Sequence, residues 1–142
     1  MKTKLLTICL LLFTSISWGD ELDGKMLICN KFGSIKHPYG FKFLKNNVIG
    51  EYINEQAQII KFGGRYKNKP YHKTLTHIFW WDGGWRLDRK TLELSNGADY
   101  PVWKSVRTCK VYLNNYSYDT AIENYRLEQY KKIENIIKDN KI

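Results

Sequence analysis

The sequence predicts a mainly β protein: about eight short antiparallel strands in meander order, curled into a small barrel or an open sheet, with a C-terminal amphipathic α-helix. Three observations carry this. Apolar-rich segments of strand length alternate with turn residues between about 25 and 113. Cys29 and Cys109 fall in the first and last of these segments, so a bond between them would join the two ends of the meander. Beyond Thr120 the apolar residues change to helical spacing.

Ahead of the strands, residues 1–19 read as a secretory signal peptide. Lys2 and Lys4 form a basic start, residues 5–16 an apolar stretch, and Ser17 and Gly19 place small side chains before a cut ahead of Asp20. That stretch is too short for a membrane helix, which takes about 20 residues to cross roughly 30 Å of hydrocarbon. Bulky Ile8 argues against a lipid anchor on Cys9. Cleavage near Gly19 would leave one domain over 20–142, periplasmic or secreted. It would also remove Cys9 and lower the formal net charge of +9 by two. In an oxidising compartment the remaining Cys29 and Cys109 are expected to pair. Closing a loop of about 80 residues is worth roughly 4–5 kcal/mol on a chain-entropy account.

The first expected strand covers 26–32. In the second, 39–45, Tyr39, Phe41 and Phe43 share a face, and Asn46-Asn47 supplies a tight turn into 48–53. That turn would set Phe43 opposite Gly50 and Phe41 opposite Tyr52. Strands over 58–62 and 71–81 follow, separated by Gly63-Gly64 and the break at 68–70. Asp82-Gly83-Gly84 turns the chain into 85–88. In 91–94, Leu92 and Leu94 point inward and Glu93 outward. The last strand, 106–113, carries Arg107, Cys109, Val111 and Leu113 on one face.

The helix is expected over about 121–138. Ile122, Tyr125, Ile133, Ile136 and Ile137 share one face, and Thr120 with Glu123 forms a capping box at its start. Lys131, Lys132 and Lys138 gather toward its end, where the helix dipole is negative. Such an apolar face needs a partner, most economically the outside of the sheet.

In strand count and helix position this arrangement resembles the calycin group, lipocalin-like barrels included. Asp23-Gly24-Lys25-Met26 stands where a lipocalin has its Gly-x-Trp motif. In sequence, Leu22-Asp23-Gly24-Lys25 running into Leu27-Ile28-Cys29, Tyr39-Gly40-Phe41-Lys42-Phe43, and Leu87-Asp88-Arg89-Lys90-Thr91-Leu92 ahead of Cys109 resemble a family of small exported bacterial proteins. Its members are known mainly from marine and environmental sequences. The resemblance implies a bacterial periplasmic setting and brings no activity, cofactor or site residue with it.

Aromatics concentrate in Phe79-Trp80-Trp81-Asp82-Gly83-Gly84-Trp85. Ile78, Trp80, Trp85 and Leu87 share one face of the expected hairpin; Leu75, His77, Phe79, Trp81, Arg86 and Asp88 share the other. Only one face can look into a barrel. The second either lies beneath the helix or contributes to a ligand platform at the hairpin. On the platform reading Phe79, Trp81 and Trp85 stack on a sugar or apolar ligand, with Arg86 and Asp88 as polar contacts.

No metal or cofactor is expected. His72 and His77 point to opposite faces if they share a strand, and His37 precedes a proline in a loop. No serine sits in a Gly-x-Ser-x-Gly elbow, and Gly63-Gly64-Arg65 lacks the rest of a phosphate loop. Glu51, Glu55, Asp82 and Asp88 leave a carboxylate-pair hydrolase open. The basic balance suits an anionic envelope component, although the lysines are dispersed along the chain. Lys110 and Tyr112 interleave charge and ring as single-strand binders do, but export argues against nucleic acid. The expectation is an exported, non-enzymatic binding module of the cell envelope, taking a small apolar ligand, a glycan or lipid, or an envelope protein. An envelope hydrolase is the alternative.

Overall fold

Among the described residues the period-two segments form nine strands: β1 (Met26–Lys31), β2 (Tyr39–Leu44), β3 (Asn47–Ile53), β4 (Ile59–Phe62), β5 (His72–Lys73), β6 (His77–Trp80), β7 (Trp85–Asp88), β8 (Glu93–Asn96) and β9 (Lys104–Tyr112). A 25-residue helix, α1 (Asn115–Asp139), follows. The computed structural model describes residues 22–31, 37–45, 47–64, 69–97 and 104–140. The expected signal peptide with Cys9, and the expectations that fall on Phe32, Asn46 and Arg65, lie outside the described residues.

All pairings are antiparallel, and the sheet order is β4-β3-β2-β1-β9-β8-β7-β6-β5. The first and last strands are therefore central neighbours, and the edges are β4 and β5, which are consecutive in sequence. Cys29 stands opposite Cys109 in the β1–β9 ladder, and the two are disulfide-bonded. The sheet is a meander barrel closed at its chain ends and open at its middle.

Inward residues from distant strands curl the sheet. Phe41 and Phe43 of β2 meet Trp80 of β6 at 5.1 and 5.5 Å between ring centroids, both edge-on. Leu27, Cys29, Val48, Ile78, Leu87 and Leu94 fill the space around them, all buried. Among the described residues these side chains fill the interior, the edge-to-face geometry adding to the burial of large rings.

A side chain from the β6–β7 loop reaches across to β3 and β4. Trp80 pairs with Trp85, so Trp81 to Gly84 form a four-residue loop in which Trp81, Asp82 and Gly83 all have positive φ. Parity along β6 expects Trp81 to face outward; the left-handed backbone turns it inward. Its indole is buried against Phe62 of β4 (5.2 Å) and Phe41, and its Nε1 donates to the Val48 carbonyl at 3.2 Å. The ring occupies the space where Gly63, at φ +83, would carry a Cβ. Lys69, in the β4–β5 connection, pairs with Asp82 of the same loop.

The helix covers the opposite face of the sheet. Tyr118 and Ile122 are buried against Met26 and Ile28, and half-buried Tyr125 and Tyr112 complete this second cluster. The Tyr118 hydroxyl donates to the buried Glu51 carboxylate at 2.7 Å, passing directly over Gly40, where any Cβ would collide with it. Burial first, then the Glu51 carboxylate, pushes the Tyr118 pKa far above that of a free phenol. Lys42 lies 4.6 Å from the Tyr118 ring and pairs with Asp119 at 2.9 Å, closing the edge of this contact.

Several sequence-based expectations are corrected. In the β2–β3 ladder Leu44 pairs with Asn47, so Phe43 faces Val48 and Phe41 faces Gly50, each two residues from the expected partner. The expected strand 71–81 is a hairpin, because the Thr74 hydroxyl accepts from the Thr76 and His77 amides and turns the chain. This accounts for nine strands in place of eight. The helix starts at Asn115, not near 121: the Asn114 side chain caps the Ser117 amide, and Tyr118 anchors the added turn. Leu113, Ile136 and Ile137 are exposed and not packed on an apolar face.

Trp81→Ala is expected to lower the unfolding free energy by about 3–5 kcal/mol, as buried large-to-small changes do. Urea unfolding of the oxidised protein measures this. A loss below about 1 kcal/mol would mean that the curl holds without the indole.

Candidate functional site

Since the interior is filled, open space lies at its rim. A cavity of about 730 Å³ sits at one end of the sheet, where β1, β2, β3 and β9 meet the β3–β4 turn. Tyr39 and Tyr52, directly opposite in the β2–β3 ladder, form its aromatic wall with ring centroids 6.0 Å apart. Asn54 holds the turn beyond them: its carboxamide oxygen accepts from the Gln56 and Gln58 amides, which places Glu55 and Gln56 on the lip.

Arg107 enters this cavity from β9. Its guanidinium lies 3.8 Å from the centre of the Tyr39 ring, and Nη1 donates to the His37 carbonyl at 2.9 Å and the Cys29 carbonyl at 3.4 Å. The His37 ring is fixed in turn, its Nδ1 bonding the Ile53 carbonyl at 3.2 Å. Burial lowers the Arg107 pKa, with Tyr39 partly offsetting it, and the group stays cationic throughout the ordinary pH range. Among the described residues no carboxylate lies within ion-pair distance of it. Lys31 is Arg107's direct cross-strand neighbour and lines the same cavity.

The residues expected to form a platform are divided among three places. Trp85 is half-buried on the inward face, 5.7 Å from Tyr39 and 5.6 Å from Phe41, directly behind the cavity wall. Trp81 is buried against β4. Phe79, Arg86 and Asp88 lie on the outer face of β6 and β7, which α1 does not cover; the helix packs on β1 and β9. On that outer face the 74–76 turn brings His72 and His77 to the same side, not to opposite sides. His72 stacks on Phe79 at 5.1 Å, His77 lies 6.0 Å from the same ring, and His77 Nε2 is 3.7 Å from Asp88.

Other expected chemistry is also dispersed. Glu51 is bonded beneath the helix, Glu55 sits on the cavity lip, Asp82 pairs with Lys69, and Asp88 faces outward. Among the described residues no three His, Cys, Asp or Glu side chains are grouped to hold a metal ion, and no helix is long and apolar enough to cross a membrane. The cavity residues Lys31, His37, Tyr39, Tyr52 and Asn54 were not singled out as a site by sequence. One signal was available: Arg107 is a cation on the inward face that also carries Cys109 and Val111.

Asp88 accepts from the Thr91 and Lys90 amides at 2.9 and 2.7 Å, and these bonds hold its carboxyl below the usual carboxylate range. Its contribution to stability is therefore present above the unfolded value of about 3.9 and lost as pH falls through the lower folded value. Asp88→Asn is expected to flatten the acid limb of a melting-temperature profile taken between about pH 2 and pH 6. An unchanged acid limb would rule this out.

No family model matches the chain, and neither curated proteins nor solved structures yielded a match.

Proposed function

We propose that this chain is an exported, non-enzymatic binding module of the cell envelope that takes its ligand at the Tyr39–Tyr52–Arg107 cavity. The observation carrying the reading is a half-buried guanidinium stacked on an aromatic wall in a cavity of about 730 Å³. A few convergent polar groups on an apolar wall are what small-ligand sites share. The packed interior moves the ligand from a lumen to this rim, which favours polar or amphiphilic molecules over wholly apolar ones. The envelope assignment rests on the leader pattern in residues 1–19.

Expression of the full chain in a bacterial host is expected to yield periplasmic protein beginning at Asp20, read by intact mass. Cytoplasmic recovery at full length would remove the export reading. For binding, the test is an amide and indole NMR titration of the protein from Asp20 onward with cellobiose, octyl glucoside, acetate and methyl phosphate. At least one probe should shift Tyr39, Tyr52 and the Trp85 indole together and saturably. If none of the four moves these signals, the cavity is not a ligand site.

A further inference from the structure

We propose that the cavity recognises an oxyanion, a phosphate or carboxylate group, gripped by Arg107 with Lys31 beside it. The inference deepens the binding reading above and depends on it.

Three observations support the choice of group. The first is the fate of positive charge. Lys42 and Arg126 each have a carboxylate partner, Asp119 and Glu123. Arg107 is half-buried, and among the described residues it meets two carbonyls and the Tyr39 side chain but no carboxylate. These orient a guanidinium without neutralising it, and an enclosed charge without a counter-charge is costly. Burial depresses the Arg107 pKa, as expected where desolvation is incompletely compensated.

The second is register. Lys31 and Arg107 are directly opposite in the β1–β9 ladder, and directly opposed residues place their side chains on one face of the sheet. Like charges in that relation repel, and a bound anion turns the repulsion into shared attraction. Glu55, on the lip formed by the β3–β4 turn, pairs with neither cation among the described residues.

The third is geometry. Both backbone bonds use Nη1, so the Nε–Nη2 edge of the guanidinium has no backbone acceptor among the described residues. That edge presents parallel N–H groups suited to two oxygens of one carboxylate or phosphate. Tyr39 supports the guanidinium plane from below, and Tyr52 offers a surface for the body of the ligand.

The test extends the same titration with methyl phosphate, acetate, glycerol phosphate and vesicles of phosphatidylglycerol or phosphatidylcholine. Methyl phosphate or acetate should shift Arg107 and Lys31 side-chain signals saturably, and more weakly as salt rises. Arg107→Gln should weaken binding about tenfold or more, and Lys31→Gln severalfold. Lys31 is exposed at a strand end, so its variant keeps the test valid if Arg107→Gln unfolds. Glycerol phosphate binding without vesicle binding identifies a free solute as the source. Lys31-dependent binding to phosphatidylglycerol vesicles, and not phosphatidylcholine, identifies a lipid headgroup; either result supports the oxyanion. If cellobiose or octyl glucoside shifts the cavity while both anions do not, the oxyanion inference fails and the binding reading survives. If all four soluble probes leave it unmoved, both fail. Anion binding undiminished in both variants would place the anion elsewhere and overturn the proposal.

Discussion

One indole ties the β6–β7 loop to β3 and β4 on the far side of the sheet. β4 and β5 share no ladder, so nothing in the backbone pairing holds the curl closed. Trp81 makes that tie by donating to the β3 backbone at Val48 and packing its ring on Phe62. It reaches that position through a short run of left-handed residues, Trp81, Asp82 and Gly83. Such a backbone is costly for the first two and natural for the third. Burying a large aromatic ring offsets that cost, and the complementary feature on the other side is Gly63, whose missing side chain leaves room for the ring. Inside, Phe41, Phe43 and Trp80 interlock edge to face.

The helix uses the sheet's other face, and the strands beneath it are buried on both sides. In β1, Leu27 and Cys29 point into the curl while Met26 and Ile28 meet the helix. The run Met26-Leu27-Ile28-Cys29 is therefore continuously apolar, as strands covered on both faces are. A buried acid normally destabilises such a layer. Glu51 is tolerated because Tyr118 bonds it, and Tyr118 reaches it only because Gly40 leaves the path clear. This contact also draws the helix start back to Asn115, since Tyr118 must lie in its first turn to arrive over Gly40. Farther along, Ile136 and Ile137 extend past the sheet and remain exposed.

The core fills the inner face and the helix covers β1 and β9 on the outer one, while the Arg107 cavity lies at the rim. There the elements that build the fold also build the cavity: Arg107 is two residues along β9 from the disulfide and bonds the Cys29 carbonyl. Tyr39 connects cavity and core, touching Arg107 on one side and Phe41, Phe62 and Trp85 on the other. The cavity wall is thus in direct contact with the aromatic packing of the core.

The sequence by itself determined whatever depends on local period and composition. Alternation located β1, β2, β3, β4 and β7 to within a residue or two, the spacing of Cys29 and Cys109 anticipated which strands would meet, and the change of period placed an amphipathic helix at the end. Only the tertiary structure decided features to which alternation is blind. The β2–β3 hairpin is displaced by two residues from the expected pairing, and a slip of two keeps every side chain on its own face. The Thr74 turn and the left-handed Trp81 each break a parity count, for a conformation is chosen by what it packs against as much as by its own residues. The cavity gathers residues near positions 31, 37–39, 52–56 and 107, which no linear spacing connects. Their meeting follows from curling the sheet, and the curl depends on contacts between strands far apart in the chain.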